Sequence, residues 1–204
     1  QVLKYYERIN NKQRLRRIEK VSDNFELSHK ILKSKKILDL LKKLTNKNYV
    51  LFKDKLNFKY PGGSGFLPHI DGHFYWIDRN NKKQNGWNKY SSNFINLVIP
   101  LERSTKENGC LYLAEKKNTN VLGKSFKDIT NNLITNSPNI KNKNLKYFNF
   151  KPIEMNQGDI LFFDWKCAHM SKKNISNKSR KIFYATYCFH IGKDNLRKKY
   201  YYDK

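Results

Sequence analysis

The chain has 204 residues, of which 38% are hydrophobic and 14% aromatic, enough for a folded domain with a real core rather than a disordered chain. It contains no run of about 18 apolar residues, which predicts no transmembrane helix, and residues 1–17 lack the apolar segment of a secretory signal. Three widely spaced cysteines, Cys110, Cys167 and Cys188, form no C-x-x-C pair. This argues against a disulfide framework or a zinc knuckle and favours a cytoplasmic location.

The charge is strongly positive, with 42 basic and 17 acidic residues and a net charge of +25. A field of this sign attracts polyanions. The lysines are scattered through the whole chain among many Asn and Ile residues, which is typical of a general composition bias. Nucleic acid is therefore an alternative partner and a small molecule the favoured one.

In chain order, the sequence predicts one domain of residues 1–204 in three parts. The first, 1–49, is predicted to be helical, because residues 27–46 repeat apolar side chains at spacings near three and four opposite a lysine face. Ser28 is the predicted N-cap of that helix. Residues 50–190 form the predicted β core, and residues 191–204 form a solvated basic tail.

The β core is predicted from short apolar or alternating segments rich in Ile, Phe and Tyr. These segments are 50–61, 65–76, 91–102, 110–115, 146–155, 158–165 and 180–192. Strands at this spacing with a leading helix indicate a mainly β sandwich or barrel with flanking helices. Two polar stretches, 77–92 and 116–146, are predicted to be loops, the second with a short helix at 126–133.

The segment 65–76, GFLPHIDGHFYW, carries His69, Asp71 and His73 at every second position. Because side chains alternate along a strand, the three are predicted to point to the same side. Imidazole and carboxylate groups on one face can bind one metal ion. A single His-x-Asp pair is common in proteins, so the hypothesis of a metal site requires a further ligand elsewhere in the chain.

The second half of the chain supplies that ligand in His169, followed by Ser171 and Arg180. His69, Asp71 and His169 would form the two-histidine, one-carboxylate triad that is diagnostic of non-haem Fe(II) oxygenases. A buried Arg180 suits a carboxylate such as the distal one of 2-oxoglutarate, and Ser171 could donate a second hydrogen bond to it.

Four motifs in this order and spacing resemble the phytanoyl-CoA dioxygenase family of Fe(II)/2-oxoglutarate-dependent oxygenases. The motifs are LNFKYPG (56–62), HIDGHFYW (69–76), ENGCLYL (107–113) and GDILFF (158–163) followed by H-x-S and Arg180. The resemblance implies a double-stranded β-helix, also called a jelly roll, which is a cupin-like fold. It implies His69, Asp71 and His169 as iron ligands, Arg180 and Ser171 as 2-oxoglutarate contacts, and Lys59 beside the cofactor or substrate.

The resemblance also implies the chemistry: Fe(II), the cosubstrate 2-oxoglutarate and O2 would hydroxylate an aliphatic C–H bond and release succinate and CO2. Halogenating relatives have a small residue in place of the carboxylate, so Asp71 favours hydroxylation. The expected substrate is a small metabolite, a natural-product intermediate or an acyl-type compound, with an anionic group as one option. A nucleic-acid-directed oxygenase and a catalytically inactive binding module are the alternatives. Further predicted pocket residues are His73, Tyr75, Asn96 and Tyr184.

Overall fold

The computed structural model describes residues 1–72, 75–115, 130–131, 139–192 and 194–203. The predicted pocket residue His73 and most of the predicted helix at 126–133 lie outside these residues. Within them, the strands are β1 Leu3–Ile9, β2 Lys12–Glu19, β3 Tyr49–Lys59, β4 Phe66–His69, β5 Tyr75–Ile77, β6 Lys83–Asn85, β7 Phe94–Pro100, β8 Leu111–Ala114, β9 Thr130–Asn131, β10 Asn139–Ile140, β11 Phe150–Ile153, β12 Leu161–Asp164, β13 His169–Ser171 and β14 Arg180–Phe189.

The helices of the described residues are α1 Glu26–Leu32, α2 Lys35–Thr45 and α3 Leu196–Asp203, with 3-10 turns at Val21–Asp23 and Asn142–Tyr147. The longest, α2, has 11 residues. A helix needs about 20 apolar residues to span a bilayer, so none of these could do so.

Two antiparallel sheets form the core of the fold. One has six strands in the order β1-β2-β3-β14-β7-β12, and the other has four in the order β11-β8-β13-β4. From β3 onward the chain crosses between these sheets at each step except from β8 to β11, as in a jelly roll, which confirms the predicted fold class. Apolar side chains from both sheets meet between them, among them Val98, Leu111, Phe163 and Ile182.

The prediction that residues 1–49 are helical was wrong for the first part of this segment. β1 and β2 form a hairpin, and β2 pairs with β3 and so widens the larger sheet. Asn10 and Asn11 connect the two strands with φ values of 47° and 62°. Positive φ at both central residues is the requirement of the tightest hairpin turns, and asparagine tolerates it.

The predicted helix at 27–46 is two helices, because the chain breaks between α1 and α2. Ser34 caps α2 by accepting a hydrogen bond from the Ile37 amide at 3.3 Å. The predicted cap, Ser28, instead lies buried within α1, whose N-cap is Phe25. The apolar faces of both helices pack on the outer face of the larger sheet, through Leu32 and Leu41 among others.

The prediction that residues 191–204 form a solvated basic tail was also wrong, because α3 packs on the β core. Leu196 and Tyr200 are buried in an aromatic cluster with Phe52, and the Arg197 guanidinium bonds the carboxylate of Asp54 at 2.6 Å. The polar stretch 77–92 likewise contributes buried side chains to this cluster. The cluster comprises Phe52, Trp76, Trp87, Tyr90, Phe94, Trp165, Leu196 and Tyr200, with Cys188.

Candidate metal and cosubstrate site

Strand pairing brings together two histidines that are far apart in the sequence. In the smaller sheet His69 of β4 lies directly opposite His169 of β13, and their ring centroids are 4.1 Å apart. Asp71 does not share their strand, because β4 ends at His69. The prediction of one continuous strand over 65–76 was therefore wrong, and a turn places the carboxylate beside the histidines.

That turn is anchored from both sides. Ile70 is fully buried between the two candidate ligands His69 and Asp71, where it packs in a cluster with Ala168. Gly72 follows at a φ of +71°, and a Cβ atom there would lie 2.4 Å from the Trp165 ring. Only glycine suits this conformation and this contact, so the His-x-Asp-Gly sequence is what the sharp turn requires.

Backbone carbonyls fix the orientation of both imidazoles. His69 Nδ1 lies 2.7 Å from the Leu67 carbonyl oxygen, and His169 Nδ1 lies 3.0 Å from that of Cys167. Because a carbonyl can only accept, each Nδ1 carries a proton, which leaves Nε2 as the ring atom that can bind a metal ion. One ligand atom from each of His69, Asp71 and His169 lies within 4.8 Å of the others. This donor set fits a divalent iron ion, and the three residues could hold one.

The charges at this centre favour the ligand forms of its residues. Burial, reinforced by the neighbouring His169, lowers the pKa of His69 to about 3, so the ring stays neutral. Burial acts to raise the pKa of Asp71, but His169 and Lys55 outweigh it and the pKa lies below its ordinary value. A neutral imidazole and an ionised carboxylate are the states that bind a metal.

Asn96 lies where the sequence predicted a pocket residue. Its side chain is buried, and Nδ2 donates a hydrogen bond of 2.8 Å to Asp71 Oδ2. Thr186 Oγ1 donates in turn to Asn96 Oδ1 at 2.8 Å, which orients the carboxamide. The same Asp71 oxygen lies 3.5 Å from His169 Nε2. A hydrogen-bonded chain therefore runs from the larger sheet to the candidate ligand.

A second group of predicted residues meets at the ends of β3, β13 and β14. Lys59 Nζ donates to Ser171 Oγ at 2.8 Å and to two backbone carbonyls, those of Gly109 at 3.2 Å and Lys172 at 2.7 Å. Arg180 is 2% exposed; its Nε donates to a backbone carbonyl, and Nη1 has no hydrogen-bond partner within the described parts of the chain. Burial and then the charge of Arg180 lower the pKa of Lys59 to about 6.

The phytanoyl-CoA dioxygenase family model matches residues 5–182. The chain belongs to this family. The prediction made from the four motifs is thereby confirmed, and the match begins in the β1–β2 hairpin that the sequence analysis did not recognise.

Curated relatives of this dioxygenase-family chain are similar over most of its length. Dioxygenase lolE1 of Epichloe uncinata is 29% identical over 197 residues, covering 97% of this chain and 68% of that protein. A methylphosphonate hydroxylase of Gimesia maris is 29% identical over 174 residues, which cover 85% of this chain and 58% of the relative. A 2-aminoethylphosphonate dioxygenase of an uncultured bacterium is 28% identical, with 89% and 63% covered. The chain thus spans about three-fifths of the two phosphonate enzymes.

Solved structures share the fold. AviO1 from Streptomyces viridochromogenes Tue57 superposes with a TM-score of 0.66 at 15% identity, covering 94% of this chain and 75% of that one. EctD from S. alaskensis, solved with 2-oxoglutarate and 5-hydroxyectoine, gives a TM-score of 0.62 at 14% identity, covering 86% and 56%. At these identities the likeness concerns the fold.

The remaining predicted pocket residues of this family member are Tyr184 and Tyr75. Tyr184 lines the candidate metal pocket and is hydrogen-bonded to Arg180. Tyr75 begins β5, and its side chain lies outside the part that the structure describes. Lys53 and Lys55 also line the pocket and were not predicted from the sequence. The polar side chains at every second position of β3 could have indicated a polar inner face, but this pattern was interpreted only as evidence for a strand.

Proposed function

We propose that this protein is an Fe(II)/2-oxoglutarate-dependent oxygenase that hydroxylates a C–H bond of a small molecule. The observation that carries the proposal is the grouping of His69, Asp71 and His169 with both Nε2 atoms available, near the buried basic side chains of Lys59 and Arg180. Iron with 2-oxoglutarate and O2 supplies the oxidising power that turns C–H into C–OH and leaves succinate and CO2.

In this proposal the three clustered side chains hold the iron, and the fold fixes them before it binds. The Leu67 and Cys167 carbonyls hold the imidazoles, and Asn96 holds the carboxylate. Such outer hydrogen bonds orient metal ligands and raise their affinity. Iron held by only these three side chains would keep coordination positions free for cosubstrate and O2.

Arg180, Ser171 and Lys59 are proposed to bind the distal carboxylate of 2-oxoglutarate. The Ser171 hydroxyl oxygen already accepts from Lys59 Nζ at 2.8 Å and from the Phe66 amide at 3.1 Å. Its own proton is therefore directed elsewhere, and Ser171 lines the metal pocket. An incoming carboxylate would accept from Ser171 and from the Arg180 guanidinium and would favour the ammonium form of Lys59.

A small substrate is favoured over a nucleic acid because the basic side chains near the candidate metal line cavities inside the fold. Two of the relatives are named for phosphonates, and both names describe hydroxylation or oxygenation of small molecules. An inactive binding module is disfavoured because all three candidate ligands are present and grouped.

The test is spectroscopic. Anaerobic addition of Fe(II) and 2-oxoglutarate should produce the weak visible charge-transfer band of the chelate in the wild type, and His169→Ala should lose it. His29→Ala, which removes an exposed histidine of α1, is the matched control and should keep the band. A folded wild type that binds iron but gives no band and forms no succinate in air would refute the proposal.

A further inference from the structure

One face of β3 carries an unusual row of cations into the interior. Because side chains alternate along a strand, Lys53, Lys55, Asn57 and Lys59 share a face. Lys53 and Lys55 line the pocket of the candidate metal ligands. Lysine is seldom found in such a place without a partner.

The three lysines differ in what satisfies them. Lys59 Nζ has three acceptors from the protein, and Lys53 Nζ lies 3.6 Å from the fully buried Glu19 carboxylate. Lys55 Nζ lies 5.3 Å from the Tyr184 ring centroid and makes no hydrogen bond or ion pair with the other residues that the structure describes. Its ammonium group therefore has donors to spare.

Lys55 also borders an adjoining cavity of about 490 Å³, which shares His69 and Asp71 with the metal pocket. This size suits a small organic ligand. The N-terminal hairpin supplies one wall, with Arg16 and Arg17 among the lining residues. A molecule held at Lys55 would thus lie beside the candidate iron ligands.

The charges lining this cavity do not balance. Arg16 pairs with Glu7 at 3.0 Å, and Arg17 and Lys53 share the single carboxylate of Glu19. Asp71 is assigned to the metal. The four lining cations therefore meet one other lining carboxylate, Glu19, and Glu7 pairs with Arg16 from outside the lining, which leaves an excess of two positive charges among the described residues.

Building on the proposed function, we propose that this cavity binds the substrate through an anionic oxygen group, with Lys55 as its anchor. The two excess charges favour a doubly charged phosphonate or phosphate over a carboxylate. The anchored group would place a C–H bond of the same small molecule at the iron, so Lys55 would set substrate specificity.

The electrostatics of the cavity support this assignment. Burial, which outweighs the nearby Asp71 carboxylate, lowers the pKa of Lys55 to about 8. Lys53 and Arg17 act in the same direction as burial. An anion beside these three cations would stabilise the ammonium form, and charge-assisted hydrogen bonds are the strongest that a lysine makes.

The experiment uses the full chain as its anaerobic complex with Fe(II) and saturating 2-oxoglutarate, so that the cosubstrate site is occupied. Calorimetric titrations with methylphosphonate, acetate and the neutral dimethyl ester of methylphosphonate measure the dissociation constants. We expect methylphosphonate to bind more tightly than acetate, and the neutral ester not to bind saturably.

The variants isolate Lys55. Lys55→Met should weaken methylphosphonate binding by about 10- to 100-fold, and Lys55→Arg should retain most of it. The control is Lys181→Met. Lys181 is partly exposed, lies on the face of β14 that points away from the cavity, and pairs with Glu102, so its loss should leave the methylphosphonate affinity unchanged. All three should keep the 2-oxoglutarate affinity and the charge-transfer band of the wild type.

Three results would overturn the assignment. They are no saturable binding of either anion, equal binding by wild type and Lys55→Met, and a loss of 2-oxoglutarate affinity instead of anion affinity in Lys55→Met. The last would move Lys55 to the cosubstrate. Failure of the oxygenase proposal is a separate outcome, because it would appear as the absence of the charge-transfer band in the wild type.

Discussion

Asp54 and Lys55 are adjacent residues on opposite faces of β3, and they differ in whether the protein neutralises their charge. On the outer face Asp54 is fully buried, yet its carboxylate accepts from Arg197 at 2.6 Å and from the Ser22 amide at 2.6 Å. On the inner face Lys55 has no such partner within the described residues, and the neighbouring Arg180 of β14 has a buried Nη1 without one.

The difference separates scaffold from site. A buried charge that the protein itself neutralises ties elements together, as Arg197 ties α3 to β3. A buried cation beside a cavity and without an internal partner destabilises the ligand-free protein, and its natural partner is a ligand. The two classes should therefore respond differently to mutation, one in stability and the other in binding.

The largest effect is expected on the scaffold side. Arg197→Met leaves the buried Asp54 carboxylate without its cation and should lower the free energy of unfolding by about 3–5 kcal/mol. Chemical denaturation measures the loss, and Lys198→Met, an exposed neighbour on α3, is the control. The variant that remains folded should bind 2-oxoglutarate as the wild type does. A stability near that of Lys198→Met would mean that Arg197 does not hold α3 in place.

The matching change on the site side is Arg180→Met. Loss of the guanidinium should weaken 2-oxoglutarate binding by about 100-fold, because charge-assisted hydrogen bonds to a carboxylate are lost. Stability should be unchanged or higher, since a buried cation next to Lys59 is removed. Titration of the charge-transfer band gives the affinity, with iron content as the control. Unchanged cosubstrate affinity would remove Arg180 from the site.

Lys59 should make the stability of the ligand-free protein depend on pH. Its pKa is about 6 when folded and 10.5 ordinarily, so the unfolded chain binds more protons between these values. The free energy of unfolding should therefore rise as pH increases from 6 to 10.5, by up to about 1.4 kcal/mol per pH unit, and fall as pH decreases toward 6.

Lys59→Met should remove this contribution to the pH dependence, whereas loss of its hydrogen bonds alone would shift the free energy of unfolding equally at every pH. Lys181→Met should keep the slope. Equal slopes in wild type and Lys59→Met would mean that the three acceptors keep the ammonium charged.

The sequence singled out residues that the structure groups, but it did not predict the backbone that groups them. His69, Asp71 and His169 were chosen because ligand chemistry restricts residue type and spacing, and their ligand atoms lie within 4.8 Å of one another. The turn at Asp71 was not predicted, because a strand that ends at His69 has the same local sequence pattern as one that continues. The role proposed for Lys55 depends on what lies opposite β3 in space, which no local sequence pattern contains.

The termini were mispredicted for a related reason. The β1–β2 hairpin packs through rings and guanidinium groups, with Arg17 over the Tyr5 ring at 4.0 Å and Arg16 over Phe66 at 4.3 Å. Patterns that count arginine as solvated do not recognise such a strand. In α3 the basic composition concealed Tyr200, which packs against Phe52 with ring centroids 4.8 Å apart.

The smallest effect is expected from the hydrogen bonds through which Thr186 and Asn96 of the larger sheet orient Asp71. Thr186→Val keeps the volume of the side chain but removes the donor to Asn96 Oδ1, so the carboxamide can rotate and present its oxygen to Asp71. Fe(II) affinity should fall by about two- to tenfold, the range of one neutral hydrogen bond. Thr186→Ser restores the hydroxyl and should recover the affinity, which separates positioning of Asp71 from a general packing defect. If competition between Fe(II) and a chelator gives the same affinity for Thr186→Val and wild type, Asn96 is held by its contact with Asp71 alone, and Thr186 does not position the candidate metal ligands.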